Sequence, residues 1–189
     1  ESTRREFLRQ METTVNQLKN HPSIVYWTIF NEAWGQFDSD AVYEQLRSLD
    51  DTRWIDSTSG WFRRKKTDVD SRHVYFRKIK LKGDGKKPLV LSEFGGYSYK
   101  LPEHSFNLDN TYGYGKFDDG EAFANAVEEL YREQVVPCVR NGLCAAVYTQ
   151  VSDVEDETNG LLTYDRKAEK LSAATMRLIA TTLQDAVRE

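Results

Sequence analysis

Cysteine, methionine and histidine are scarce in this chain of 189 residues, which carries two, two and three of them. Cys138 and Cys144 fall at the end of an expected helix and the start of an expected strand, where they read as small buried apolar residues. They cannot build a disulfide framework and stand at no zinc-ligand spacing. With only His21, His73 and His104, the chain has no His-rich ligand set of the kind metal-assisted hydrolysis uses. No organic cofactor is implied by any motif. No apolar run is long enough to span a membrane, and the N-terminus has no apolar signal-peptide core. The net charge of −4 provides no general basic surface. The two basic runs, Arg63–Lys66 and Lys78–Lys87, are short and are expected to be solvated loops, not a nucleic-acid groove.

What the chain does have is the balance of an ordinary globular unit, with hydrophobic residues at 39% and charged residues at 30%. Aromatics reach 12%, enough to fill a core or to face the apolar side of a sugar, so they do not decide function alone. The opening ESTRREFLRQMETTV starts uncapped inside a helical pattern, and the chain is expected to be a piece of a longer protein.

Apolar spacing predicts a helix over 1–20, ended by His21-Pro22, because the residue before proline is steered away from helical angles. Ile24–Phe30 is a continuous apolar and β-branched run, typical of a parallel strand covered on both faces. A helix follows over Asp38–Leu49, with Asp38 or Ser39 as N-cap. Further strands are expected at Arg53–Ser57, His73–Phe76, Pro88–Ser92 and Leu143–Val151, and helices at Glu121–Val139 and Ala168–Val187. Between them, 97–118 reads as a long binding loop or lid. Strands alternating with helices imply a parallel α/β sheet, either an open doubly wound one or a (β/α)₈ barrel. A whole barrel needs eight strands and about 250 residues; if these five strands belong to a barrel, they are expected to be its C-terminal part.

Two strands finish on a carboxylate: WTIFNEAWG on Asn31-Glu32, and PLVLSEFGG on Glu93. Parallel barrel strands present their C-terminal ends on one face, where the two acids can converge. A pair of carboxylates about 5–5.5 Å apart is the apparatus of retaining glycoside hydrolysis, one giving a proton and the other attacking the anomeric carbon. Taken alone, each acid reads better as a helix-start residue favoured by the macrodipole. The joint context, with Gly95-Gly96 permitting a tight turn and close approach, strengthens the catalytic reading.

HPSIVYWTIFNEAWG, PLVLSEFGG and YTQVSDVEDETNGLLTYDR together resemble the fourth, seventh and eighth barrel strands of glycoside hydrolase family 2. That family includes β-galactosidases, β-glucuronidases and β-mannosidases. The resemblance runs over almost the whole chain and implies strands 4–8 of a (β/α)₈ TIM barrel as one unit, 1–189. It implies a retaining exo-β-glycosidase, β-galactosidase-like by preference, acting on an oligosaccharide or glycoside. By motif position Glu32 matches the acid/base, Glu93 the nucleophile, and Asn31 a ligand of the sugar 2-hydroxyl. Tyr75 stands where the family often has a tyrosine bonded to the nucleophile; a core tyrosine is the equal alternative. His73 reads as structural. Trp34 and Trp61 either line the sugar pocket or pack the barrel rim. Tyr148 takes a place where many members carry a pocket-floor tryptophan. The acidic run Asp153, Glu155, Asp156 and Glu157 lacks calcium-loop spacing and is expected to be a solvated loop, not a metal site. Unpaired outer edges on strands four and eight would favour self-association, and the isolated fragment is expected to be inactive. The competing reading is a non-catalytic carbohydrate-binding or structural barrel fragment.

Overall fold

The computed structural model describes residues 1–32, 34–62 and 64–188. Ala33 of the NEAWG motif and Arg63, which opens the first basic run, lie outside the described residues. Contacts divide the chain into two compact units, Glu1–Arg72 and His73–Glu189.

In the first unit, α1 (Ser2–Leu18) is followed by β1 (Tyr26–Phe30), α2 (Ser39–Leu49) and β2 (Trp54–Thr58). β1 and β2 pair in parallel, with Phe30 opposite Thr58. The two helices pack over a small core of Val15, Leu46 and Ile55, joined by Met11, Trp27 and Ile29. β1 is two residues shorter than the apolar run suggested. Asp38 does hold the N-cap position of α2, but in a left-handed conformation (φ 41°) with no side-chain cap bond. A polar web ties the unit's far end. Asp50 accepts from Trp27 Nε1 and Arg53 Nη1 at 2.8 and 2.9 Å, and from Thr52 at 2.6 Å.

β3 (Asp70–Val74) runs into the second unit, where it joins β4 (Leu89–Gly95) and β7 (Leu143–Thr149) in the order β3-β4-β7. β4 and β7 are parallel. Leu89, Leu91, Phe94 and Leu143 bury against Leu130, Val135 and Cys138. These last three lie on one continuous helical rod: α3 (Gly120–Leu130), a π-helical turn (Tyr131–Val135) and α4 (Val136–Arg140). Asp119 caps its start by accepting from Ala122 N at 2.8 Å. The sequence pattern suggested one regular helix. The π turn lies just before Pro137, whose missing N–H and ring disturb the regular ladder one turn back. A second core gathers Phe123, Val127 and Leu171 with Ile179 of α5 (Ala173–Arg188).

Three expectations need correction. The region 97–118 is not plain loop: it holds β5 (Tyr97–Tyr99), a 3₁₀ turn (Pro102–His104) and β6 (Tyr114–Phe117), with β5 and β6 paired. Among the described residues the chain therefore has seven strands, not five. Cys138 is buried as expected, but Cys144 is exposed, because β7 is an end strand whose residues from Cys144 to Val147 are uncovered. The final helix starts at Ala173, not Ala168, since the preceding residues turn inward. Lys170 is buried there, its ammonium 2.6 Å from Asp153 Oδ1 and 3.0 Å from Thr158 O.

Candidate active site

The C-terminal end of the β3-β4-β7 sheet carries a polar cluster. β4 pairs with β7 at Leu91↔Ala146 and again at Phe94↔Tyr148, so three steps on β4 face two on β7. The extra residue is a bulge at Ser92-Glu93, and bulges re-aim side chains at strand ends. Glu93 stays partly open, its side chain 30% exposed, and with Ser92 it interrupts an otherwise buried strand.

Tyr75 and His73 reach it directly, and Thr149 through Tyr75. Tyr75, just beyond β3, donates its phenol proton to Glu93 Oε2 at 2.7 Å. The same phenol oxygen lies 2.7 Å from Thr149 Oγ1 at the end of β7. A phenol has one proton, so with Glu93 as its acceptor the Thr149 hydroxyl donates to Tyr75. Burial pushes the Tyr75 hydroxyl well above its ordinary pKa, the Glu93 charge adding to this and Thr149 opposing it. Tyr75 is thus a permanent donor at working pH. His73 is the other neighbour, buried, with Nδ1 3.3 Å from Glu93 Oε2. Residues i and i+2 of an extended segment share a face, and this was the available signal that His73 sits beside Tyr75.

The glycines permit the arrangement. Gly95 has φ +81°, and a Cβ there would run into the Tyr148 ring. Gly96 has φ +65°, and a Cβ there would stand 2.6 Å from Tyr114 and 3.3 Å from Tyr75. Tyr148 itself packs edge-on against Phe94 and stacks on Tyr131, at centroid distances of 5.6 and 6.3 Å. Its ring is thus part of the wall behind Glu93's strand.

After Thr149 the chain enters the acidic run, which is not simply solvated. Gln150 donates to Glu157 at 2.7 Å and to Asn159 at 2.9 Å. Asn107 donates to Asp156 at 2.8 Å. Asp153 is buried in its ion pair with Lys170 and also accepts from Gly160 N at 2.8 Å. The Lys78–Lys87 run agrees better with expectation: its lysines at 78, 80, 82 and 86 are exposed.

A cleft of about 450 Å³ opens between the residues after β3 and the helical rod, lined by Tyr75, Phe76, Tyr97, Glu129 and Gln134 among others. Glu93 does not line it.

The remaining sequence candidates belong to the first unit. Asn31 is exposed at the end of β1, its carbonyl accepting from Gln36 at 3.0 Å, and Glu32 beside it is half-buried. Trp34 is 92% exposed and Trp61 43%. The structure therefore joins Tyr75 and Glu93 directly, adds His73 and Thr149, and sets Tyr148 in packing.

A model of the family described as glycosyl hydrolases family 2, TIM barrel domain, matches residues 1–181. No curated protein matches the chain. Among solved structures, a protein provisionally described as a β-galactosidase from Bacteroides fragilis aligns with a TM-score of 0.65 and 17% identity, over 93% of this chain and 30% of its own. An FMN-binding β-glucuronidase from Facaelibacterium prausnitzii L2-6 aligns at 0.60 and 18%, over 93% and 31%. Bacteroides uniformis β-glucuronidase 2, solved covalently bound to cyclophellitol-6-carboxylate aziridine, aligns at 0.59 and 16%, over 85% and 24%. At these identities the likeness concerns fold, and the chain spans under a third of the length of each.

Proposed function

Because the chain belongs to glycosyl hydrolase family 2, within its TIM barrel domain, we propose that it supplies the catalytic carboxylates of a longer retaining exo-β-glycosidase. We take it to be the C-terminal part of the barrel, strands four to eight. The observation that carries this reading is the short hydrogen bond from Tyr75 to Glu93 at the end of a parallel strand pair.

In the proposed reaction Glu93 is the nucleophile. Tyr75 occupies its Oε2, which leaves Oε1 as the attacking oxygen. Oε1 forms a bond to the anomeric carbon as the bond from that carbon to the leaving oxygen breaks. Glu32 gives its proton to the departing oxygen. Water then loses a proton to Glu32 and attacks the same carbon, releasing Glu93 as carboxylate and the sugar with its configuration retained. The donation from Tyr75 also fixes the orientation of the Glu93 carboxyl. Asn31 binds the sugar 2-hydroxyl, and Trp34 and Trp61 line the sugar pocket, in the same reading.

A panel of aryl β-glycosides, β-galactosides first, assayed with the full-length enzyme identifies the sugar. A 2-deoxy-2-fluoro glycoside of that sugar should then label Glu93, found by peptide mass spectrometry. Label on another residue defeats the nucleophile assignment. Glycoside binding without turnover of any panel member supports instead a non-catalytic carbohydrate-binding role.

A further inference from the structure

An aromatic series runs outward from Glu93. Tyr75, bonded to Glu93, stacks on Tyr114 with ring centroids 4.2 Å apart and planes 17° from parallel. Phe76 meets Tyr114 edge-on at 4.9 Å, and Tyr112 does so at 5.9 Å. Exposure rises along the series: Tyr75 and Tyr114 are half-buried, whereas Tyr112 is 52% and Phe76 80% exposed. Large apolar rings left this open, contiguous with a half-buried carboxylate, mark a ligand surface more than a packing defect.

The backbone is shaped to hold them. Tyr112 and Tyr114 alternate with glycine in the stretch TYGYG, and Gly115 takes φ +62°. Gly113 has φ +154°, and a Cβ there would stand 2.6 Å from Ser98 Cβ. Gly96 leaves the space that Tyr114 fills. The strip is anchored from below, since Tyr112 N donates to Asp156 O at 2.7 Å and Thr158 N to Tyr112 O at 3.0 Å.

We propose that Phe76, Tyr112 and Tyr114 form the platform for the leaving group of the glycoside. This rests on the glycosidase reading above. The sugar being cleaved must bring its anomeric carbon to Glu93, at the inner end of the series. In an exo-acting enzyme the group on the far side of the scissile bond points outward, toward the exposed rings. Their chemistry selects a flat, partly apolar aglycone: the C–H face of a second pyranose, or an aryl ring.

The test compares three substrates of the sugar that the full-length enzyme turns over: an aryl β-glycoside, a β-linked disaccharide and the glycosyl fluoride, whose leaving group has no ring. Each is assayed with wild type, Phe76→Ala, Tyr112→Ala and the ring-preserving Phe76→Tyr. For the alanine variants, kcat/KM on a ringed substrate relative to the fluoride should fall about tenfold, within the range of single aromatic contacts. Phe76→Tyr should restore the ratio. A fall with the disaccharide identifies a sugar acceptor surface, and a fall with the aryl glycoside alone an aryl one. Ratios unchanged in both alanine variants overturn the platform while leaving the glycosidase reading intact, as do equal losses on all three substrates. A wild-type enzyme that cleaves none of the three overturns both.

Discussion

Tyr75 donates to Glu93 Oε2 at 2.7 Å while its own oxygen sits 2.7 Å from Thr149, so one phenol links the ends of three strands. Removing only that oxygen is the direct probe. Tyr75→Phe should lower kcat about 10–100-fold, the range for a hydrogen bond to a charged partner. The pH profile should keep its shape. Burial raises the Tyr75 pKa, so the hydroxyl stays protonated well past neutrality and contributes no basic limb for the variant to lose. A shifted alkaline limb in Tyr75→Phe would contradict this assignment of the proton.

Gly95 is where that cluster meets the core. Gly95→Ala would force a left-handed φ on a residue with a Cβ and press it into Tyr148. The two effects together should cost roughly 2–4 kcal/mol. Urea unfolding of the purified enzyme measures it, and the loss should shrink when Tyr148→Ala is added. A Gly95→Ala midpoint equal to wild type would refute the close approach.

How much of this was legible in the sequence depends on the period of the pattern. β1, β4 and β7 stood out because apolar runs of strand length are distinctive in sequence. Glu93 was legible as the polar end of such a run, and Tyr75 through family resemblance. The bulge at Ser92-Glu93 was not, since one extra residue leaves no mark on composition. β5 and β6 were hidden for a related reason: glycine and tyrosine in YSY and YGKF read as loop, and only pairing with each other makes them strands. The contact of His73 with Glu93 was not legible, because the two lie 20 residues apart in sequence, beyond any local pattern. Asp153 looked like one more surface acid in a run of them, and nothing near it in sequence announces Lys170.

That buried pair gives a third prediction. Lys170 and Asp153 have almost no exposed side-chain surface, and burial pulls the lysine pKa down and the aspartate pKa up, each held partly in check by the other. Lys170→Met leaves a carboxylate buried without its cation and should destabilise by about 3–5 kcal/mol. The double variant Lys170→Met, Asp153→Leu should recover most of that loss. Thermal melts that rank the double variant below the single one would show that the pair itself, not the orphaned charge, matters.

Asp50 supplies the pH dependence. Burial alone would raise its pKa, but bonds from Thr52, Trp27 and Arg53 outweigh it and hold the carboxyl below the usual range. A depressed folded pKa means the unfolded chain takes up the proton first as pH falls. The stabilisation is therefore complete above the ordinary aspartate value of about 3.9 and drains away below it. Urea midpoints of wild type and Asp50→Asn should differ most at neutral pH, with wild type the more stable. The gap should narrow steadily as pH drops under about 4, because there the unfolded chain binds the proton before the folded carboxyl does. A gap that stays constant from pH 7 to pH 3 would mean the web around Asp50 works through shape and not through charge.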